Sequence, residues 1–178
     1  MPEHPDAEAV IALLGLRPLP REGGWFSETY RGAPLEGPAL PAHLTGPHVV
    51  KTSIYYLMTP TGFSAMHRLP TDELFHFYAG DPVEQLHLLP NGEGRISRLG
   101  TDFATGERPQ LLAPAGVWQG SRLAAGWRHG FALLGTTMAP GYSNADYEHG
   151  DRAALIAAWP TWAQEITALT RDADGRGA

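Results

Sequence analysis

Cysteine is absent from the 178 residues, so disulfides and thiol chemistry are excluded from the start. Charged side chains are sparse, at 18%, and the formal net charge is -6 with no basic run anywhere. Neither nucleic acid nor an anionic membrane suits that balance as a partner. No stretch approaches the roughly 20 consecutive apolar residues that span a bilayer. The opening residues, MPEHPDAEAV, are acidic and lack the basic start and apolar run of a signal peptide. These absences lead to the expectation of a cytoplasmic protein, and the length suits one domain with a substantial core, taken as residues 1–178.

What is plentiful is glycine and proline, 21 and 16 residues spread along the whole chain rather than gathered in a linker. That distribution predicts many short strands and tight turns. DAEAVIALL, residues 6–14, predicts a short helix capped by Asp6 and stopped by Gly15. WFSETYR (25–31), VVKTSIYYLM (49–58), FSAMHRL and ELFHFYA read as strands, the last two joined by a turn at Pro70-Thr71-Asp72. Between the first two lies a loop from Gly32 to Pro47. VEQLHLLPNGEGRISRLG is a hairpin with its turn at Asn91-Gly92. Further strands are expected around Pro109–Leu112, Gly116–Gln119 and Arg128–Met138. DRAALIAAW (151–159) and TWAQEITAL (161–169) have helical spacing, with Asp151 and Thr161 as caps and Pro160 between them. The reading is therefore all-β: a barrel or sandwich over about 24–140, closed by helices over about 151–170, with residues 171–178 expected as a disordered tail.

The segment GFSAMHRLPTDELFHFYAGD, residues 62–81, concentrates His67, Glu73 and His76 in a short run. Gly62, His67, Glu73 and Gly80 fall in the order of the first motif of the cupins, and Pro114, Gly116 and Gln119 in APAGVWQGS fall in the order of the second. Leu69 stands where that first motif has its second histidine, and Gln119 where the second motif has its last one. EGGWFSETYR, DELFHFYAGDP, PAGVWQGSR and LLGTTMAPGYSNADYE together resemble a branch of cupins of uncharacterised function related to the deoxysugar epimerases. That resemblance implies a jelly-roll β-barrel with a pocket inside it and a homodimer, to which the residue pattern adds the short N-terminal helix and the C-terminal helices.

Metal-bearing cupins present three histidines and a glutamate, a donor set suited to Fe, Mn, Ni or Zn. Strand alternation puts position 69 on the same face as His67, so leucine there removes one ligand from the interior. What remains is His67, Glu73 and Gln119, and an amide is a weak ligand for a transition metal. The expectation is a site without a cofactor; a divalent transition metal on His67, Glu73 and Gln119 is the alternative. If Glu73 faces inward, Phe75 and Phe77 do too, while His76 faces outward unless a bulge shifts the register.

Without metal, His67 becomes a base able to take a proton next to a carbonyl, with Glu73 fixing its tautomer and raising its pKa. Tyr55 is the expected acid, on the same strand face as Lys51 and Ser53, and Lys51 could stabilise an enolate oxygen. Gln119 is expected to hydrogen-bond the substrate. Phe75, Phe77, Trp25, Trp118, Tyr30 and His76 complete the candidate binding residues. An isomerase or epimerase acting on a small, sugar-like carbonyl compound follows from this set. A metal-dependent dioxygenase, decarboxylase or lyase and a non-catalytic metabolite-binding protein remain open beside it.

Overall fold

The computed structural model describes residues 6–35, 37 and 40–171; the expected tail beyond 171 lies outside them. Helix α1 (Ala7–Leu14) starts where Asp6 accepts a hydrogen bond from the Ala9 amide and stops at Gly15, whose φ of 60° is left-handed. The strands are β1 (Arg17–Pro18), β2 (Trp25–Arg31), β3 (Pro34–Leu35), β4 (His48–Val49), β5 (Thr52–Met58), β6 (Ser64–Arg68) and β7 (Glu73–Gly80). They continue with β8 (Val83–Leu88), β9 (Gly94–Leu99), β10 (Gln110–Ala113), β11 (Trp118–Leu123), β12 (Ala132–Met138) and β13 (Glu148–His149). Helices α2 (Arg152–Ala158) and α3 (Ala163–Ala168) close the chain.

Two antiparallel sheets face each other in a jelly roll. One has the order β1-β2-β5-β12-β7-β10 and the other β13-β6-β11-β8-β9, while β3 and β4 form a separate pair. Between the sheets lies the main core, built on Tyr56, Phe75, Val83, Leu99 and Leu134. The outer face of the five-stranded sheet is covered as well: Met66, Leu86 and Leu88 pack against Leu155, Ile166 and Leu169 of the C-terminal segment. Helix α1 covers part of the other outer face, where Val10 and Leu16 meet Leu57 and Phe131. Each such aliphatic side chain contributes about 1.5–3 kcal/mol on full burial, which is why residues of both parities in β5, β6 and β8 are buried. No helix among the described residues is long and apolar enough to cross a membrane.

Several boundaries differ from the expectations, each for a local reason. The strand expected from Arg128 begins at Ala132 because Asp81 accepts hydrogen bonds from the amides of Arg128, His129 and Gly130, tying them into a loop. The strand expected over 116–119 runs on to Leu123, paired along its length with β8. Thr161 does not cap the last helix; Pro160–Trp162 form a 3-10 turn and Trp162 leads into α3 with no side-chain cap. The expected loop over 32–47 includes β3, paired with β4.

Candidate functional site

Strand parity decides which residues see the space between the sheets. In the pairing of β2 with β5, Phe26 lies opposite Tyr56, Glu28 opposite Ile54 and Arg31 opposite Thr52. All six line a cavity of about 500 Å³, within the range of small-molecule sites. The bulge between Glu28 and Tyr30 keeps Arg31 on the inner side and leaves Tyr30 on the outer one. Thr136 and Met138 of β12 and Glu73 of β7 complete that wall.

The other wall comes from Glu22 and from the segment carrying Tyr142, Ser143 and Asn144. Glu22 precedes Gly23 and Gly24, with φ of 104° and 72°. A Cβ on Gly24 would come within 2.8 Å of the Tyr56 hydroxyl, so only glycine lets the chain cross that ring. The Tyr56 hydroxyl donates to the Gly23 carbonyl at 3.0 Å, and Ser64 Oγ donates to Glu22 Oε1 at 2.8 Å. The glutamate is thereby held against the interior.

Glu73 is buried, 7% exposed. Gln119 Nε2 donates to its Oε2 at 2.8 Å, and Gln85 Nε2 donates in turn to Gln119 Oε1 at 2.9 Å. Burial, and then the charge of Glu22, push the Glu73 pKa up to about 7 against the opposing pull of His67, Thr136 and Gln119. Glu22 is pushed up to about 7 by burial too, with Ser64 and Arg171 opposing. Burial, reinforced by Glu22, raises Tyr142 to about 12 and Tyr56 well above the usual phenol value, so both remain donors at neutral pH.

His67 is buried and paired with Gln119 across β6 and β11, but it does not line the cavity. Its ring stacks on Tyr147, with centroids 5.2 Å apart. The Ala65 carbonyl, 2.7 Å from Nδ1, fixes the tautomer with the proton on Nδ1; Glu73, engaged with Gln119, does not. Nor is the histidine raised: burial lowers its pKa, and the Glu73 charge and the Ala65 carbonyl only partly offset this.

Tyr55, Lys51 and Ser53 share a face, as alternation requires, but it is the outer one. Tyr55 packs against the α1 cluster and meets the edge of Tyr78 at 6.0 Å. Lys51 lies over the exposed Tyr30 ring at 5.1 Å. Trp25 packs under α1, and Trp118 packs with the C-terminal helices under the Arg68 guanidinium. Phe75 and Phe77 point inward with Glu73, yet they fill the core rather than line the cavity. His76 faces outward, stacked on Tyr78 and bonded to Gln110. Missed from the sequence were Glu22, Tyr56 and Arg17. Glu22 had a visible signal, a carboxylate immediately before two glycines in EGGWFSETYR; Tyr56 had none beyond the parity of a strand buried on both faces.

The donors do not fit a transition metal. Leu69 lines the cavity within an apolar group with Met138 and Tyr147, and both functional ends of the Gln119 amide are engaged by Glu73 and Gln85. Among the described residues, no group of three or more His, Cys, Asp or Glu side chains is arranged to hold a metal ion.

The chain has relatives. Residues 8–150 match the model of a cupin superfamily family, DUF985. An uncharacterized protein of Saccharomyces cerevisiae, YML079W, is 26% identical over 136 residues, 71% of this chain and 67% of that one. The crystal structure of protein SO0799 from Shewanella oneidensis is 33% identical, with a TM-score of 0.81 over 94% of this chain and 98% of its own. A hypothetical protein from Leishmania major is 29% identical, with a TM-score of 0.85 over 94% of this chain and 100% of its own. Oxalate decarboxylase from Bacillus subtilis shares the fold alone: 12% identity and a TM-score of 0.52, covering 86% of this chain and 37% of that one. With the family model spanning most of its length, the chain belongs to the DUF985 family of the cupin superfamily.

Proposed function

We propose that this protein is a metal-independent acid–base enzyme, an isomerase or epimerase acting on a small carbonyl compound inside the barrel. The observation that carries the reading is the pair of carboxyl groups, Glu22 and Glu73, lining one cavity with both pKa values held at about 7. Burial holds both carboxyls near neutrality and the Glu22 charge further opposes ionisation of Glu73, so one serves as base while the other serves as acid. The resemblance to cupins related to deoxysugar epimerases points the same way.

In this reaction the ionised carboxylate takes the proton from the carbon next to the carbonyl, and the C–H electron pair moves into an enolate. Tyr142, a donor at neutral pH, and Asn144 in the same wall are available to the enolate oxygen. The protonated partner returns a proton to the opposite face, giving the epimer, or to the neighbouring atom, giving the isomer. No electrons are gained or lost, so no redox partner is required. Glu73 takes the role of base that the sequence suggested for His67, because Glu73 reaches the cavity and His67 does not.

The test is solvent deuterium exchange. Candidate 2-keto acids, aldoses and ketoses are incubated with the protein in deuterated buffer and followed by NMR. Exchange next to the carbonyl, lost in both Glu73→Gln and Glu22→Gln, supports the reading. Exchange that persists in both variants overturns it, and a ligand that binds without exchanging points to a metabolite-binding protein instead.

A further inference from the structure

The main cavity opens beside a recess of about 380 Å³. The two share Arg17, Leu19, Glu22, Phe26, Tyr142 and Asn144 in their walls. Arg17 belongs to both and Arg21 to the recess, and the two guanidinium groups are set by different means. Arg17 lies on β1 with its guanidinium 4.9 Å above the Phe26 ring. Arg21 lies 4.7 Å above the Tyr147 ring. It is the one non-glycine residue at positive φ, 69°, among the described residues. That backbone is pinned from three sides: the Glu22 amide donates to the Pro20 carbonyl, the Gly23 amide donates to the Leu19 carbonyl, and Arg171 donates to the Arg21 carbonyl at 2.7 Å. A conformation that costs energy and is held by so many contacts marks a side chain being aimed.

Four arginines elsewhere on the chain lie in ion pairs, Arg31 with Glu28, Arg68 with Glu148, and Arg98 and Arg122 with Glu84. Arg17 and Arg21 make no ion pair among the described residues, although the chain carries a net charge of -6. Stacking on a ring occupies the face of a guanidinium and leaves its in-plane N–H edge open, the edge that forks onto carboxylate or phosphate oxygens. Pro18 and Pro20 stiffen the segment between the two residues, so little conformational freedom remains to be lost on binding.

We propose that Arg17 and Arg21 form an anion grip at the cavity entrance, so that the substrate is a small carbonyl compound bearing a carboxylate or phosphate group. This rests on the acid–base reading above and extends it to a substrate class. The anionic group is held in the recess, and the carbonyl end reaches past Glu22, which lines both chambers, toward Glu73. The positive entrance also draws anions toward a protein whose overall charge repels them.

Isothermal titration calorimetry on the full chain tests the grip without reference to catalysis. Inorganic phosphate and malonate are the probes, and glycerol is the uncharged control. One or both anions bind, glycerol does not, and affinity falls with added salt. Arg17→Gln and Arg21→Gly each weaken binding by about tenfold or more. Glycine at position 21 accepts the positive φ, so loss of binding there is loss of the guanidinium rather than of the turn. Arg98→Gln, in an exposed ion pair outside the cavity, leaves affinity unchanged. Phosphate alone binding identifies a phosphorylated substrate, and malonate alone a carboxylic acid. No binding by either anion, or equal weakening in all three variants, overturns the proposal. Glu73→Gln separates this proposal from the acid–base reading: it retains anion binding while abolishing exchange. If anions bind but no probe ever exchanges deuterium, the catalytic reading falls and the grip stands.

Discussion

Gln119 donates to Glu73 at 2.8 Å while accepting from Gln85 at 2.9 Å, so the amide at the position of a cupin histidine orients the carboxylate. The chain of donors runs one way, toward the carboxylate, and favours its ionised form. Gln119→Leu removes the donor and strands the Gln85 amide in a buried site. Glu73 should then titrate above its present value of about 7, read by carbon NMR on labelled protein. The fold should lose about 1–3 kcal/mol in urea denaturation. An unmoved Glu73 titration would show that the hydrogen bond does not tune the carboxyl.

Restoring imidazole at the two altered positions should restore the missing donors. Leu69→His together with Gln119→His gives three histidines and Glu73 at the positions of the two cupin motifs. The double variant should take up near-stoichiometric zinc or manganese by elemental analysis, and the untagged parent should not. Stoichiometric metal in the parent would contradict the metal-independent reading.

Two adjacent tyrosines separate the inner and outer faces of β5. Tyr56 is 1% exposed and donates to the Gly23 carbonyl at the turn that presents Glu22. Tyr56→Phe should cost about 0.5–1.5 kcal/mol and lower deuterium exchange by displacing Glu22. Tyr55→Phe, on the outer face, should leave exchange intact. The opposite pattern would put the acid where the sequence alone suggested it.

That contrast also shows how far the sequence could be read. Alternation in β5 and β7 assigned residues to faces correctly: Tyr55 with Lys51 and Ser53, Glu73 with Phe75 and Phe77. It could not say which face of β5 is interior, because α1 buries Leu57 from outside as fully as the core buries Tyr56 from inside. The cupin motif residues were legible as a motif, and the two-sheet fold followed from them and from turn chemistry such as the Asn91-Gly92 hairpin. Glu22 was legible only as a carboxylate before two glycines; its place in the cavity depends on that turn folding back over Tyr56, which no local pattern records.

His48 faces an acceptor on each side. Its Nε2 is 2.8 Å from Asp146 Oδ2 and its Nδ1 is 3.1 Å from the Gly46 carbonyl. Only the imidazolium can donate to both. Burial alone would lower its pKa; the Asp146 carboxylate and the Gly46 carbonyl outweigh that and raise it. A histidine raised in the folded state contributes stability that is complete below its unfolded value of about 6.5 and is lost as pH rises through the folded value. Asp146→Asn should therefore destabilise the protein by about 1–3 kcal/mol at mildly acid pH and much less in alkaline buffer. An equal loss at both would show that the imidazolium is not the source. Asp146 follows the cavity-lining Tyr142, Ser143 and Asn144, so the same variant should loosen that wall, read as faster amide exchange there.

Glu22 and Glu73 predict stability with the same sign and a different window. Each is raised from 4.5 to about 7 in the folded state. Their contribution is complete below the unfolded value and is lost as pH rises toward 7, where the folded protein must accept charge inside the barrel. Glutamine is neutral at every pH, so Glu22→Gln and Glu73→Gln should each stabilise the fold little at pH 4 and by about 1–3 kcal/mol at pH 8, while abolishing exchange. Because the Glu22 charge is part of what raises Glu73, removing Glu22 relieves the burial strain on its neighbour. The double variant at pH 8 should therefore gain less than the sum of the two singles. Strict additivity would mean that the carboxyls do not feel each other, and the acid–base pair would lose its physical basis.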